Sequence, residues 1–219
     1  MTTRTATPRM VRHLLFPALL LALAGSPPPA HGGAFCAVFF DLGNTLVDTS
    51  GPAPYPLFAD AQATIDTLQA RGIPLGIITN VPAGWDHSDL EAILQQPAFL
   101  DEFEALALSS EAGASKPAPA IYLYAFGLLA PPQHGIGATA FVGETLSEIA
   151  DAEVAPTTGA RAVGMTGIHL SSASPSPLAD FTIANLTALL AIATESCFVF
   201  DSGFESGDFT GWQNCAGCI

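Results

Sequence analysis

Positive charge is what this chain has least of. Six Lys plus Arg stand against 20 Asp plus Glu, a formal net charge of −14 at pH 7, and Lys116 is the single lysine. Three of the six basic residues, Arg4, Arg9 and Arg12, crowd into the first twelve positions, where no acid occurs. The remainder is therefore more acidic still, and its field repels a phosphate backbone. That excludes a nucleic-acid binder that relies on electrostatic attraction, and the acids read as solvated surface. Charged residues of either sign are scarce at 12%, whereas hydrophobic residues make up 49%. Such a chain is not disordered and has material for a sizeable core. At 219 residues there is room for one core domain of roughly 150 residues plus extras, and none for a second large catalytic domain.

Long hydrophobic runs are also missing. The run Leu14 to Ala24 is eleven residues long and interrupted by Pro17, short of the roughly 20 that a bilayer span requires. Placed after Arg4, Arg9 and Arg12 and before a Pro/Gly stretch ending in Gly32-Gly33-Ala34, it reads as a signal peptide cleaved after Ala34. The expectation is a secreted or periplasmic protein with no stable membrane span after cleavage; an organellar transit peptide is the competing reading. Cysteine is sparse, and three of the four (Cys197, Cys215, Cys218) fall in the last 23 residues, far from Cys36. Export permits disulfides, and a bridge within the tail is expected, with its pairing undetermined. Cys215-Ala-Gly-Cys218 lacks the second ligand pair that a structural zinc site needs. There is no internal repeat.

From Phe35 onward, apolar runs alternate with amphipathic ones. Phe35 to Phe40 is continuous and β-rich and stops at Asp41, as expected of a strand buried on both faces of a parallel sheet. Leu57, Ala61, Ile65 and Leu68 mark a helix closing at Gly72. Ile73 to Ile78 is the next strand. Ser88-Asp-Leu-Glu91 predicts a capping box and a short helix to Gln95. Phe103 to Leu108 predicts a strand, Pro119 to Leu129 a helix, Ala138 to Val142 a strand, and Ala160 to Met165 a fifth strand. Leu186 to Ala193 predicts a closing helix capped by Asn185. The fold class is therefore α/β: a three-layer, Rossmann-like open parallel sheet with helices on both faces. Three segments follow: a leader (1–34), a core domain (35–193) and a Cys/Gly-rich tail (194–219).

Open α/β sheets place their sites beyond the carboxyl ends of the strands. Asp41, Thr79 and Glu144 end three predicted strands, and Lys116 lies in the connection after another. A chain that otherwise avoids lysine keeps one in the Ser-Lys-Pro turn at that edge. His87, His134 and His169 form no ligand spacing, and Trp85 reads as a loop anchor.

In order and spacing, Asp41-Leu-Gly-Asn-Thr45-Leu, Ile77-Ile-Thr79-Asn80, Lys116-Pro117 and Gly143-Glu144 with Glu148 resemble the four motifs of the haloacid dehalogenase-like (HAD) hydrolases, over about residues 35 to 193. The resemblance implies a HAD-like core and a phosphatase that hydrolyses a phosphate monoester through an aspartyl-phosphate. A carboxylate attacking phosphorus in line splits one hard displacement into two easier ones, and Asp41 is implied as that nucleophile. Neighbouring carboxylates would repel a phosphate dianion unless a hard cation neutralised them, so Mg²⁺ is the implied cofactor. Its implied ligands are Asp41, the main-chain carbonyl of Gly43, and Glu144, with Glu148 among them or just behind. Thr79, by its hydroxyl, and Asn80, by its backbone N–H, would bind the phosphoryl oxygens. Lys116 would hold the charge of nucleophile and transferred group.

Three departures qualify the resemblance. The family's second Asp, two residues after the nucleophile, is Gly43 here; as general acid it is worth typically 10²- to 10⁴-fold. Turnover then requires good leaving groups, recruitment of Asp48 or another carboxylate, or has lapsed. Glu replaces Asp at 144 and 148, and the segment Ala152 to Gly159 is longer than the family's usual link, so the helix after Glu148 is expected to be distorted. About 33 residues separate Thr45 from Thr79 and about 36 separate Thr79 from Lys116; neither interval holds a large cap domain. Pro52, Pro54, Tyr55 and Pro56 read as a short flap, and an open site of this kind suits larger substrates or a homo-oligomer that covers it. Two alternatives remain: an inactive HAD-like fold serving as a binding or cell-surface module, and C–halogen hydrolysis, whose relatives also lack the second Asp but use an Arg and an enclosing cap. In the tail, Gly203 to Trp212 resembles segments of secreted bacterial proteins, and Asp201, Glu205 and Asp208 lack the EF-hand spacing.

Overall fold

The computed structural model describes residues 35–129 and 135–193. The predicted leader, the tail with three of the cysteines, and His134 lie outside the described residues. Six parallel strands form one sheet: β1 (Ala37–Phe40), β2 (Leu75–Thr79), β3 (Ala105–Leu108), β4 (Thr139–Gly143), β5 (Thr166–Leu170) and β6 (Phe181–Ile183), in the order β3-β2-β1-β4-β5-β6. Phe40 pairs with Ile77 on one side and Val142 on the other, so the carboxyl ends of β1, β2 and β4 lie level. The chain runs outward from β1 in both directions, which makes the β1/β4 boundary the switch point where such sheets bind ligands.

Alternate residues of β1 feed two cores. Val38 and Phe40 pack on one face with Ala61, Ile65 and Leu68 of α1 (Ala61–Ala70) and with Leu186 and Leu189. Ala37 and Phe39 pack on the other with Phe141 and with Ile121, Tyr122 and Ala125, from the helix Pro119–Leu128. Both faces of the central strands are dry, which is why they read as unbroken apolar runs. The remaining helices are short: α2 (His87–Ala92), α3 (Ser109–Ala112), and α5 (Leu146–Ile149), which follows α4, the Pro119–Leu128 helix. Between Thr45 and β2 the chain holds only a loop and α1, and no large cap domain is present among the described residues. No described helix is long and apolar enough to cross a membrane.

Three expectations need correction, and one strand was not expected at all. The predicted fifth strand, Ala160 to Met165, is a 3₁₀ turn over Ala160–Val163, and the strand follows it as β5. Gly167 and His169 interrupt the apolar pattern of β5, which hid it. The three-residue β6 has no apolar run at all. The capping box of α2 sits two residues earlier than predicted: Asp86 accepts from Ser88 N and Asp89 N while Asp89 caps the Asp86 backbone. The closing helix is 3₁₀ over Leu186–Ala191, although Asn185 does cap it through Ala188 N at 3.0 Å. Cys36 is disulfide-bonded.

The long link after α5 is organised by Asp151, which accepts from Thr157 N (2.7 Å), Thr157 Oγ1 (2.6 Å) and Thr158 N (3.2 Å). These donors draw its carboxyl down to about 2. The link ends at Gly159, whose φ of 82° and ψ of 179° favour glycine. A Cβ there would meet Ile149 O at 2.5 Å, and its N–H donates to Pro117 O at 2.8 Å. Gly159→Ala is expected to destabilise the fold by at least about 1–3 kcal/mol, read as a lower urea midpoint at unchanged m-value.

Candidate active site

Each strand that ends at the switch point delivers one polar side chain. Asp41 leaves β1 and is only 7% exposed; its Oδ1 accepts from Leu42 N at 2.8 Å. Lys116, 6% exposed, comes from the turn before α4 and brings its Nζ onto the same Oδ1. The ammonium also pairs with Glu148 Oε2 at 2.8 Å, a contact that lacks an aligned hydrogen bond, and lies 5.5 Å from the Phe141 ring centroid. Glu144, just past β4, accepts from Thr45 Oγ1 (3.3 Å) and Thr145 Oγ1 (2.9 Å). Thr79 is buried at the end of β2. The structure thus brings Asp41, Lys116, Glu144 and Glu148 together and sets Thr79 and Asn80 at the same sheet edge. Gly43 stands two residues beyond Asp41, in the loop that also holds Thr45.

Burial pushes the Asp41 carboxyl up to about 7, against the pull of Lys116, and the charges of Glu148 and Glu144 push in the same direction. Three carboxylates face one ammonium, an excess of negative charge that a hard dication with oxygen ligands would neutralise. No three described His, Cys, Asp or Glu side chains converge as a ready-made metal cluster. A cation would therefore take the Asp41 and Glu144 carboxylates with a main-chain carbonyl such as that of Gly43, while Glu148 is engaged by Lys116. The donor set fits Mg²⁺ on these terms.

Asp48 does not fit the part of a replacement proton donor. It is solvated, and its hydrogen bonds to Ser50 hold its carboxyl below the usual range, so it is ionised at neutral pH. Neither described arginine reaches the site: Arg71 donates to Leu190 O and Ala193 O, and Arg161 pairs with Asp180 at 3.2 Å. The predicted flap is zipped to the chain after α2, where Tyr55 N donates to Ile93 O (2.7 Å) and Gln95 N to Tyr55 O (2.9 Å).

Three contributors escape sequence reading. His169, on β5 beside Gly143, donates Nε2–H to Glu144 O at 3.0 Å, since a carbonyl can only accept. Tyr122, fully buried in α4, donates its hydroxyl to Glu148 O at 2.7 Å. The Asn80 side chain, not only its backbone, faces the Lys116 turn. Contacts to main-chain carbonyls leave no residue-type pattern, so only the register beside β4 could have singled out His169.

Residues 50–153 match the family model of haloacid dehalogenase-like hydrolases. No curated protein matches this sequence. Among solved structures, a HAD phosphatase from Thermococcus onnurineus is similar at 18% identity, over 73% of this chain and 98% of that one, with a TM-score of 0.57. An L-2-haloacid dehalogenase is similar at 14% identity, over 74% and 99%, with a TM-score of 0.56. An uncharacterized protein from Listeria monocytogenes serotype 4b is similar at 20% identity, over 73% and 99%, with a TM-score of 0.54. At such identities the likeness is one of fold. With the strand order, it shows a HAD-like core fold, within which residues 50–153 match the hydrolase family model.

Proposed function

We propose that the protein is an exported, Mg²⁺-dependent phosphatase that transfers the phosphoryl group of a monoester to Asp41 and then to water. The observation that supports it is the buried Asp41–Lys116–Glu148 cluster at the switch point. The Asp41 carboxylate would attack phosphorus in line while the Lys116 ammonium holds it in place and offsets charge gathering on the phosphoryl oxygens. Thr79 Oγ1 and the Asn80 N–H would orient those oxygens from β2. When bound, Mg²⁺ would lower the repulsion between the site's carboxylates and the phosphate dianion. The dehalogenase reading is weaker here because no described arginine reaches the site to receive a halide or carboxylate.

The test is release of phosphate from an aryl phosphate beside release of chloride from 2-chloropropionate, each with Mg²⁺ and with a chelator. Phosphate release that the chelator abolishes supports the proposal. Chloride release instead, or neither from folded protein, overturns it.

The pH dependence has a fixed direction. Burial raises the Asp41 pKa to about 7 in the cation-free fold, above the value of an unfolded chain. The folded state therefore disfavours its ionised form, and cation-free stability falls as pH climbs from about 4 through about 7. Mg²⁺ binds the ionised form, so its protective shift in melting temperature is expected to be larger at pH 8 than at pH 6. At a concentration 100 times Kd the gain is about 2.7 kcal/mol. Thermal melts at the two pH values, with and without Mg²⁺, measure it.

A further inference from the structure

The Asn80 amide holds the Lys116 peptide from both sides. Its Oδ1 accepts from Lys116 N at 2.8 Å and its Nδ2 donates to Lys116 O at 3.1 Å, across 36 positions of sequence. Both main-chain polar groups of one residue, in the two peptide units that flank its Cα, are thus paired with one planar side chain, a fork that fixes orientation as well as distance. Immediately afterwards Ser109 does the same to Val81: its Oγ accepts from Val81 N at 2.9 Å and donates to Val81 O at 3.1 Å. The exit of β2, which carries Thr79, and the turn that carries Lys116 are in this way fastened together. Lys116 needs such fastening. Its side chain is 1% exposed and has four rotatable bonds, and its Nζ must be held at the one place where it meets the Asp41 and Glu148 carboxylates together.

We propose that Asn80 is a positioning residue whose side-chain amide sets the main chain of Lys116, and through it the placement of the ammonium on Asp41. This rests on the phosphatase reading only for its kinetic consequence; the placement of the lysine is a property of the protein alone. The role differs from the phosphoryl contact expected of the Asn80 backbone N–H, because it belongs to the side chain and survives without substrate.

The uniqueness of Lys116 supplies the test. Protein labelled with ¹⁵N-lysine gives one lysine backbone amide signal and one side-chain Nζ signal in the full chain. Three proteins are compared: the unaltered chain, Asn80→Ala, which loses both bonds, and Ser109→Ala, which breaks only the Val81 clamp. Asn80→Ala is expected to shift both lysine signals and to speed hydrogen exchange of the Lys116 amide by about tenfold, the size of one lost hydrogen bond. In steady-state assays its kcat falls about 10- to 100-fold with KM nearly unchanged, since misplacement by about an ångström costs up to that much. Ser109→Ala is expected to lower the melting temperature while leaving the Nζ signal in place. Equal shifts in the two variants, or an unmoved Lys116 in folded Asn80→Ala, overturn the proposal. If the unaltered protein hydrolyses no phosphate, the phosphatase reading fails, while a lysine shift confined to Asn80→Ala still supports the positioning role.

Discussion

If the protein is the phosphatase proposed, Gly43→Asp is expected to raise kcat on alkyl phosphates by about 10²- to 10⁴-fold while changing turnover of an activated aryl phosphate far less. The expected gain is the range for a correctly placed general acid. An alkoxide leaving group needs a proton as the P–O bond breaks, whereas a nitrophenolate leaves without one, so the two substrates separate proton donation from every other effect. Gly43 does not occupy the left-handed region that would exclude a side chain, and a Cβ there would meet only Thr49 Cγ2, at 3.6 Å, an ordinary contact. The new carboxyl would stand two residues from the nucleophile, and the main-chain carbonyl that a cation could use is unchanged. Asp48, ionised and turned to Ser50, cannot already be filling the part. The ratio of kcat on a simple alkyl phosphate to kcat on p-nitrophenyl phosphate, before and after substitution, reads the effect. A folded Gly43→Asp protein with an unchanged ratio would show that proton donation is not what the chain lacks.

Asp41→Asn is expected to remove phosphatase activity by a factor on the order of 10⁴ or more, as loss of a nucleophile does elsewhere. The amide keeps the size of the side chain and cannot attack phosphorus. It should not unfold the protein: burial already disfavours the ionised carboxylate, pushing it to about 7, and Lys116 retains Glu148 as an ion-pair partner. At pH 8 without Mg²⁺ the variant is expected to melt no lower than the unaltered protein. Activity and melting temperature are thus predicted to part company, and a fall in both together would assign Asp41 a structural role.

The parts of the fold that were legible in the sequence are those buried on both faces. β1, β2 and β4 form the middle of the sheet, and runs such as Phe-Cys-Ala-Val-Phe-Phe cannot be anything exposed. Towards the β6 edge the pattern dissolves. His169 of β5 serves the site rather than the core, Thr182 lies in the middle of β6, and neither strand presents an apolar run. The placement of the candidate site was legible where polar residue types end strands, as for Asp41, Thr79 and Glu144, and where rarity itself drew attention, as for Lys116. It was illegible where side chains act on main chain: the Asn80 amide on Lys116, the Tyr122 hydroxyl on Glu148 O, the His169 ring on Glu144 O. Any polar residue could make such a bond, and only the folded register decides which one does.

The central claim is a covalent one, that phosphate passes through the Asp41 side chain. Mixing the protein with an aryl phosphate and Mg²⁺, quenching within milliseconds and reducing with borohydride converts a phosphorylated aspartyl side chain to homoserine, which peptide mass spectrometry locates. Homoserine at position 41, present only when substrate and Mg²⁺ are both added and absent from Asp41→Asn, is the predicted result. Phosphate release at an undiminished rate with aspartate intact at position 41, or with the reduced residue elsewhere in the chain, would contradict the account.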